Sequence, residues 1–217
     1  MDNDSSHSSI DHENLSKIFT GALLIITGTV VSKSANLGAN AILARFLGTE
    51  TFGNLMLSYT IVSLMATISI FGTSEGLPKL VSVEKTTDQN TGYITSGLIT
   101  VLFTGGVFFI TILLGSGTIS NLFQNPNLEY FLRLLSPYVL LFPILLVCVG
   151  ILRALENPRA VTISRYFGGE LLSFFVLVLL LLSGFEILGG AIYLLLIPAL
   201  SVSICIYYIS RTELSLR

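Results

Sequence analysis

An all-α, polytopic membrane protein with six transmembrane helices is the fold class this sequence predicts, on three observations. Of its 217 residues, 52% are hydrophobic and 11% charged, against about a quarter charged in soluble domains. Six stretches reach the roughly 20 mostly apolar residues that cross a hydrocarbon core of about 30 Å. They run continuously apolar, as from 174 to 182, without the alternation of a membrane barrel, and only helices satisfy their own backbone in lipid. The spans fall at 19–46, 52–71, 94–114, 132–151, 166–182 and 187–209.

Composition excludes other classes. Eleven Lys and Arg plus thirteen Asp and Glu cannot wet a soluble globule of this size, which rules out an ordinary cytosolic enzyme. A pI near 5.6 and scattered cations give no patch for nucleic acid. Two Cys cannot staple a secreted scaffold of this length.

Before the first span lies a tail, 1–16, rich in Ser, Asp, Asn and His, expected to be disordered. It is acidic, so no positive n-region leads the first apolar stretch, which is also too long for a signal peptide and is expected to stay in the mature protein. Lys and Arg flanking short loops are retained on the cytoplasmic side. With the tail inside, Lys17, Lys79, Lys85, Arg153, Arg159, Arg165, Arg211 and Arg217 fall inside, against Arg45 and Arg133 outside. That bias places both termini, including the end at 211–217, in the cytoplasm of a multi-pass cell-membrane protein, with 17–210 as one transmembrane lobe.

Ionisable groups within a bilayer cost about 2.5 to 3.5 kcal/mol each on insertion scales, so they face a cavity or a partner. Lys33 lies about halfway along the first span. Thr29, Lys33, Asn36 and Asn40 follow one another at spacings of 4, 3 and 4, within a narrow arc of one helix face. In the second span Thr60, Ser63, Thr67 and Ser74 form a similar stripe. The two stripes read either as a shared wet surface or as interhelical glue between packed spans.

Glu170 opens the fifth span between Arg165 and Ser173. It reads as a proton-coupling carboxylate, a counter-ion for Lys33, or an interfacial acid paired with Arg165. Arg45 and Arg133 sit near the outer ends of the first and fourth spans, where they contact head-groups or simply snorkel. Pro137 and Pro143 interrupt the fourth span and Pro198 the sixth, each inviting a kink. Cys148 and Cys205 read as small apolar fillers. Gly105-Gly106 and Gly189-Gly190 allow close helix approach without forming GxxxG.

Catalytic sets are missing from the spans. Asp2, Asp4, Asp11 and Asp88 all lie outside them, and His7 and His12 lie in the tail. No paired-Asp metal site, no Ser-His pair and no Gly-rich phosphate loop results. No catalytic residue, metal or cofactor is therefore expected, nor a nucleic-acid partner.

The segment Ala44, Arg45, Phe46, Leu47, Gly48 with Phe52 and Gly53 resembles the A-R-x-L-G-x-x-x-F/Y-G signature of polysaccharide transporters, the Wzx-type oligosaccharide flippases of the multidrug/oligosaccharidyl-lipid/polysaccharide exporter superfamily. Two further stretches are similar: Phe71-Gly72 to Gly76-Leu77-Pro78-Lys79-Leu80-Val81, and Gly150 to Leu155 with Pro158-Arg159. The resemblance runs from about residue 17 to about residue 210. It implies two six-helix lobes around a cavity that opens alternately to each side, moving lipid-linked oligosaccharide to the outer leaflet for glycan biosynthesis. This chain departs from that pattern by stopping after a sixth span, which leaves the expectation of a fragment, or of one lobe that pairs with a copy or a second-lobe chain. The implied partners are lipid-linked oligosaccharide, membrane lipids, an opposing lobe and polysaccharide-assembly proteins. On this resemblance Lys33 supplies a point charge for phosphates, and the Asn and hydroxyl stripes exchange hydrogen bonds with sugar. Rival readings are a Na⁺- or H⁺-coupled multidrug exporter, a lipid II exporter, and a non-transporting membrane scaffold for glycosyltransferases.

Overall fold

A computed structural model describes residues 4–70, 76, 87–155 and 157–215, and the regular structure among them is helical. Helix α1 runs Asp4–Ser69, α2 Thr87–Leu122, α3 Asn127–Leu135, α4 Tyr138–Ala154 and α5 Pro158–Thr162. A π-helix follows at Ile163–Leu171, then α6 at Leu172–Leu182 and α7 at Glu186–Ser215.

Five helical runs are long and apolar enough to cross a membrane: Ile25–Ser69, Gly92–Leu122, Asn127–Ala154, Pro158–Leu182 and Glu186–Arg211. The first holds both spans expected at 19–46 and 52–71. Gly48 divides it, with φ 74 and ψ 166, a backbone region open essentially to Gly alone. The chain therefore changes direction there without a loop. Helix also reaches back to Asp4, into the stretch expected as a disordered tail. Extending an existing helix is far easier than nucleating one.

Other boundaries shift for identifiable reasons. Helix α2 extends the expected 94–114 at both ends, because polar flanks carry helix beyond the hydrocarbon. The fourth span starts at Asn127 rather than 132, and Pro137, which has no N–H to give, splits it into α3 and α4. Pro143 and Pro198, by contrast, sit inside α4 and α7 without ending them. The fifth run starts at Pro158 rather than 166. Asn157 caps it, its Oδ1 accepting from the Ala160 N–H at 3.0 Å, with Pro158 in the first turn. After α6, Gly184 takes φ 83, and the Phe185 and Gly184 N–H groups bond the Leu180 and Leu181 carbonyls at 3.0 and 3.1 Å. That is a Schellman ending. After α2 the same pattern recurs with Gln124, at φ 51, in the glycine position.

The core joins both halves of α1 to the rest. Ala39, Leu43, Leu55, Val62 and Ala66 pack with Ile112 of α2, Leu128 and Leu132 of α3, Val139 of α4, Leu177 of α6 and Tyr193 of α7. Gly190 makes part of this possible, since a Cβ there would lie 2.8 Å from Leu55 and 3.1 Å from Leu43. The opposite surface is apolar, with Phe103 73%, Leu114 82% and Leu182 75% exposed. In water such a surface would aggregate. Around helices of this length it is the face that meets lipid.

Candidate functional site

The polar residues of α1 lie along the edge between its buried and exposed faces. Ser32, Ala35 and Ala39 point into the core, while Ile26, Val30 and Leu37 point outward. Lys33 is exposed on the outer side of that edge, and Thr29, Asn36 and Asn40 are half-buried. Asn40 Nδ2 donates to Asn36 Oδ1 at 2.9 Å. Tyr193 of α7, 1% exposed, brings its hydroxyl beside Asn36. A polar track thus leads from Lys33 at the surface past the two amides toward the core.

The hydroxyl residues bond to their own helix. Thr29 donates to the Ile25 carbonyl at 2.7 Å, Thr60 to Met56 at 2.8 Å, Ser63 to Thr60 at 3.0 Å and Thr67 to Ser63 at 2.8 Å. Each bond stays within α1, and none bridges to a second helix. With its proton committed to the backbone, each hydroxyl oxygen presents lone pairs outward as an acceptor. Thr60 and Thr67 are exposed. Ser74 of this stripe, the similarity over 71–75 and 77–81, and the cations Lys79 and Lys85 lie outside the described residues.

Glu170 sits near the end of the π-helix, half-buried, and accepts a hydrogen bond from the Ser32 hydroxyl of α1. Among the described residues its partner is therefore Ser32 and not Lys33 or Arg165, whose guanidinium lies over the Tyr166 ring at 5.9 Å. A π-helix closes its backbone hydrogen bonds one residue further along the chain than an α-helix and is often found at functional sites. Here it brings Glu170 round to α1 while Gly169 meets α7, where a Cβ would lie 3.1 Å from the Ile197 carbonyl and overlap the Ser201 hydroxyl. The hydroxyls of Ser173 and Ser201 are buried with no hydrogen-bond partner among the described residues.

Sequence reasoning missed Ser32, Tyr193 and the Tyr59 to Tyr138 hydroxyl contact at 3.2 Å. Ser32 is one residue from Lys33, and its inward angle beside Ala35 and Ala39 was the available signal. At the opposite end of the bundle, Arg45 is exposed just before the Gly48 break. Arg133 does more than snorkel: it pairs with Glu129 at 2.6 Å, and its Nε donates to buried Ser116 of α2 at 3.0 Å. Among the described residues no three His, Cys, Asp or Glu gather as metal ligands would.

Long apolar helices, a lipid-facing exterior and a polar track on one edge of the bundle define a multi-pass membrane protein. More specifically, the chain belongs to the polysaccharide biosynthesis protein family, whose pattern matches residues 18–217. The family matches the resemblance carried by Ala44 to Gly53, and the glycine of that signature is the one that turns α1. No curated protein and no solved structure matches the chain.

Proposed function

We propose that this protein is a transporter, not an enzyme, that flips lipid-linked oligosaccharide from the cytoplasmic to the outer leaflet by alternating access. The observation that carries this reading is the polar edge of α1: an exposed Lys33 beside the half-buried Asn36 and Asn40 pair. At about 2.5 to 3.5 kcal/mol for one intramembrane cation, that edge has a use only where it is wet or partnered. A pyrophosphate-linked sugar supplies the matching chemistry, anionic phosphate for Lys33 and hydroxyl donors for the acceptor-presenting Thr60 and Thr67.

In this reading the two halves of α1 cross the membrane separately at Gly48, giving six crossings with both termini cytoplasmic. The distribution of Lys and Arg supports that orientation. One bundle forms one wall of a path, and an opposing lobe, from the same chain or another copy, forms the second. Lys33→Ala should lower export while leaving the protein in the membrane, and Lys33→Arg should keep much of it. Single Cys substitutions at Asn36 and Thr67 should react with aqueous maleimide. A scaffold that only docks glycosyltransferases would leave both unreactive.

A second reading, export of a drug or of lipid II driven by Na⁺ or H⁺, is favoured by one observation. Glu170 is held against the buried Ser32 at the side of α1, where a coupling ion would find a carboxylate. Transport that survives Glu170→Gln unchanged would remove this reading and leave the first intact.

A further inference from the structure

The π-helix at Ile163–Leu171 runs for nine residues between two stretches of α-helix, whereas π geometry is commonly a single turn. Its upstream end is fixed. Asn157 caps the run, and Thr162 and Tyr166 press on α1 at Gly28, where a Cβ would lie 2.8 Å from the first and 3.0 Å from the second. Downstream, the turn at Gly184 closes α6. Between fixed ends, the extra residue of a π segment has one freedom, which is to pass along the helix. Helix register shifts of this kind take microseconds to milliseconds.

Most of the π segment precedes Glu170. If the extra residue passes to the far side of Glu170, each residue it passes regains α-helical winding and takes the place of its successor, about 100° further round the axis. Two adjacent glycines make that shift possible. A Cβ at Gly169 would lie 3.1 Å from the Ile197 carbonyl and overlap the Ser201 hydroxyl. Only glycine fits this seat on α7. After a shift of one residue Gly168 fills it, so the seat holds a glycine in both registers. Gly169 then takes the place of Glu170 beside Ser32. Glu170 takes the place of Leu171, which is half-buried on the side where Phe167 and Leu172 are exposed.

The observed register leaves polar groups unsatisfied. Ser173 and Ser201, both 0% exposed, have hydroxyls without a hydrogen-bond partner among the described residues, although buried hydroxyls are ordinarily bonded. What ties the segment to α1 is the hydrogen bond from Ser32 to Glu170. Once released, the Ser32 hydroxyl has the Gly28 carbonyl four residues back as an acceptor, the arrangement Thr29 already makes with Ile25.

We propose that the π-helix is a register switch, which holds Glu170 against Ser32 in one state and frees it in the other by passing its extra residue across Glu170. The switch needs no particular cargo, so it stands or falls apart from the transport reading.

The test is disulfide trapping in the purified full-length chain in lipid nanodiscs, with Cys148 and Cys205 replaced by Ala, copper phenanthroline as oxidant and mass spectrometry as readout. Ser32→Cys is paired in turn with Gly169→Cys, Glu170→Cys and Leu171→Cys. The observed register should trap the pair with position 170, and the shifted register the pair with position 169. Position 171 flanks 170 as closely as 169 does, but the shift carries it away from Ser32, so it should trap several-fold less than either. A second measurement adds a methyl to each glycine in the Ser32→Cys, Glu170→Cys pair. Gly169→Ala is excluded from the seat in the observed register and should slow trapping several-fold. Gly168→Ala meets only the far end of the Ile204 side chain and its own helix's Ile163 carbonyl in that register, and should leave trapping as fast or faster. Circular dichroism and thermal melts select the variants that fold, and the glycine pair decides if Gly169→Cys does not. Trapping at 169 no greater than at 171, or equal rates in Gly168→Ala and Gly169→Ala, would overturn the switch.

Discussion

Removing the Ser32 hydroxyl tests whether the π-helix is tied to α1 through Glu170. Ser32 is fully buried and Glu170 half-buried. Hydrogen bonds to charged groups contribute about 1.5 to 3 kcal/mol. Because water or headgroups can replace part of the bond at a half-buried carboxylate, Ser32→Ala should cost near the lower end, about 1.5 kcal/mol. At about 2 to 4 °C per kcal/mol for a chain of this size, the melting temperature should fall by about 3 to 6 °C. Glu170→Gln keeps an oxygen acceptor and should cost less. The assay is thermal unfolding in detergent, followed by the loss of helical circular dichroism, for the wild type, both single variants and the double variant. The cycle should show a coupling of about 1 kcal/mol between the two positions, beyond the 0.3 to 0.5 kcal/mol scatter of independent sites. A Ser32→Ala protein as stable as wild type, or strictly additive effects, would refute the tie.

Two backbone predictions separate strain from crowding. Gly48 has open space around it, with nothing within 4 Å of an added Cβ, yet Gly48→Ala should cost about 1 to 3 kcal/mol through its positive φ alone, read from the same melts. Gly190→Ala should cost about 1 to 3 kcal/mol by overpacking Leu43 and Leu55. Gly106→Ala, where an added Cβ meets nothing within 4 Å, should be neutral or stabilise by up to about 1 kcal/mol through helix propensity.

What the sequence made legible was set by composition and local chemistry. Hydropathy alone located the apolar helices, because the length of a membrane crossing is fixed by the hydrocarbon. The turn at Gly48 was readable from the Ala44 to Gly53 signature, and the close approach at Gly190 from its paired glycines. The start of the fifth run was also written locally, in Asn157-Pro158, but apolar density drew the expected boundary to Tyr166. What could not be read depends on which helix faces which. Glu170 meets Ser32 across 138 positions, from a π-helix packed against α1, and Asn54 meets Asn125 across 71. Spacing placed Thr29, Lys33, Asn36 and Asn40 on one arc correctly, while only packing reveals that this arc lies at the edge of a buried face.

The central claim, that the polar edge of α1 carries a lipid-linked glycan, is tested most directly by the leaflet distribution of lipid-linked oligosaccharide in cells lacking the gene. Membranes would be compared after restoring the wild-type chain, Lys33→Ala or Lys33→Arg, supplying any opposing lobe the native system uses and matching expression. The account predicts accumulation on the cytoplasmic face without the gene, relief by the wild-type and Lys33→Arg proteins, and little relief by Lys33→Ala. No accumulation on deletion would contradict the transport of lipid-linked sugar, and full relief by Lys33→Ala would take Lys33 out of the path.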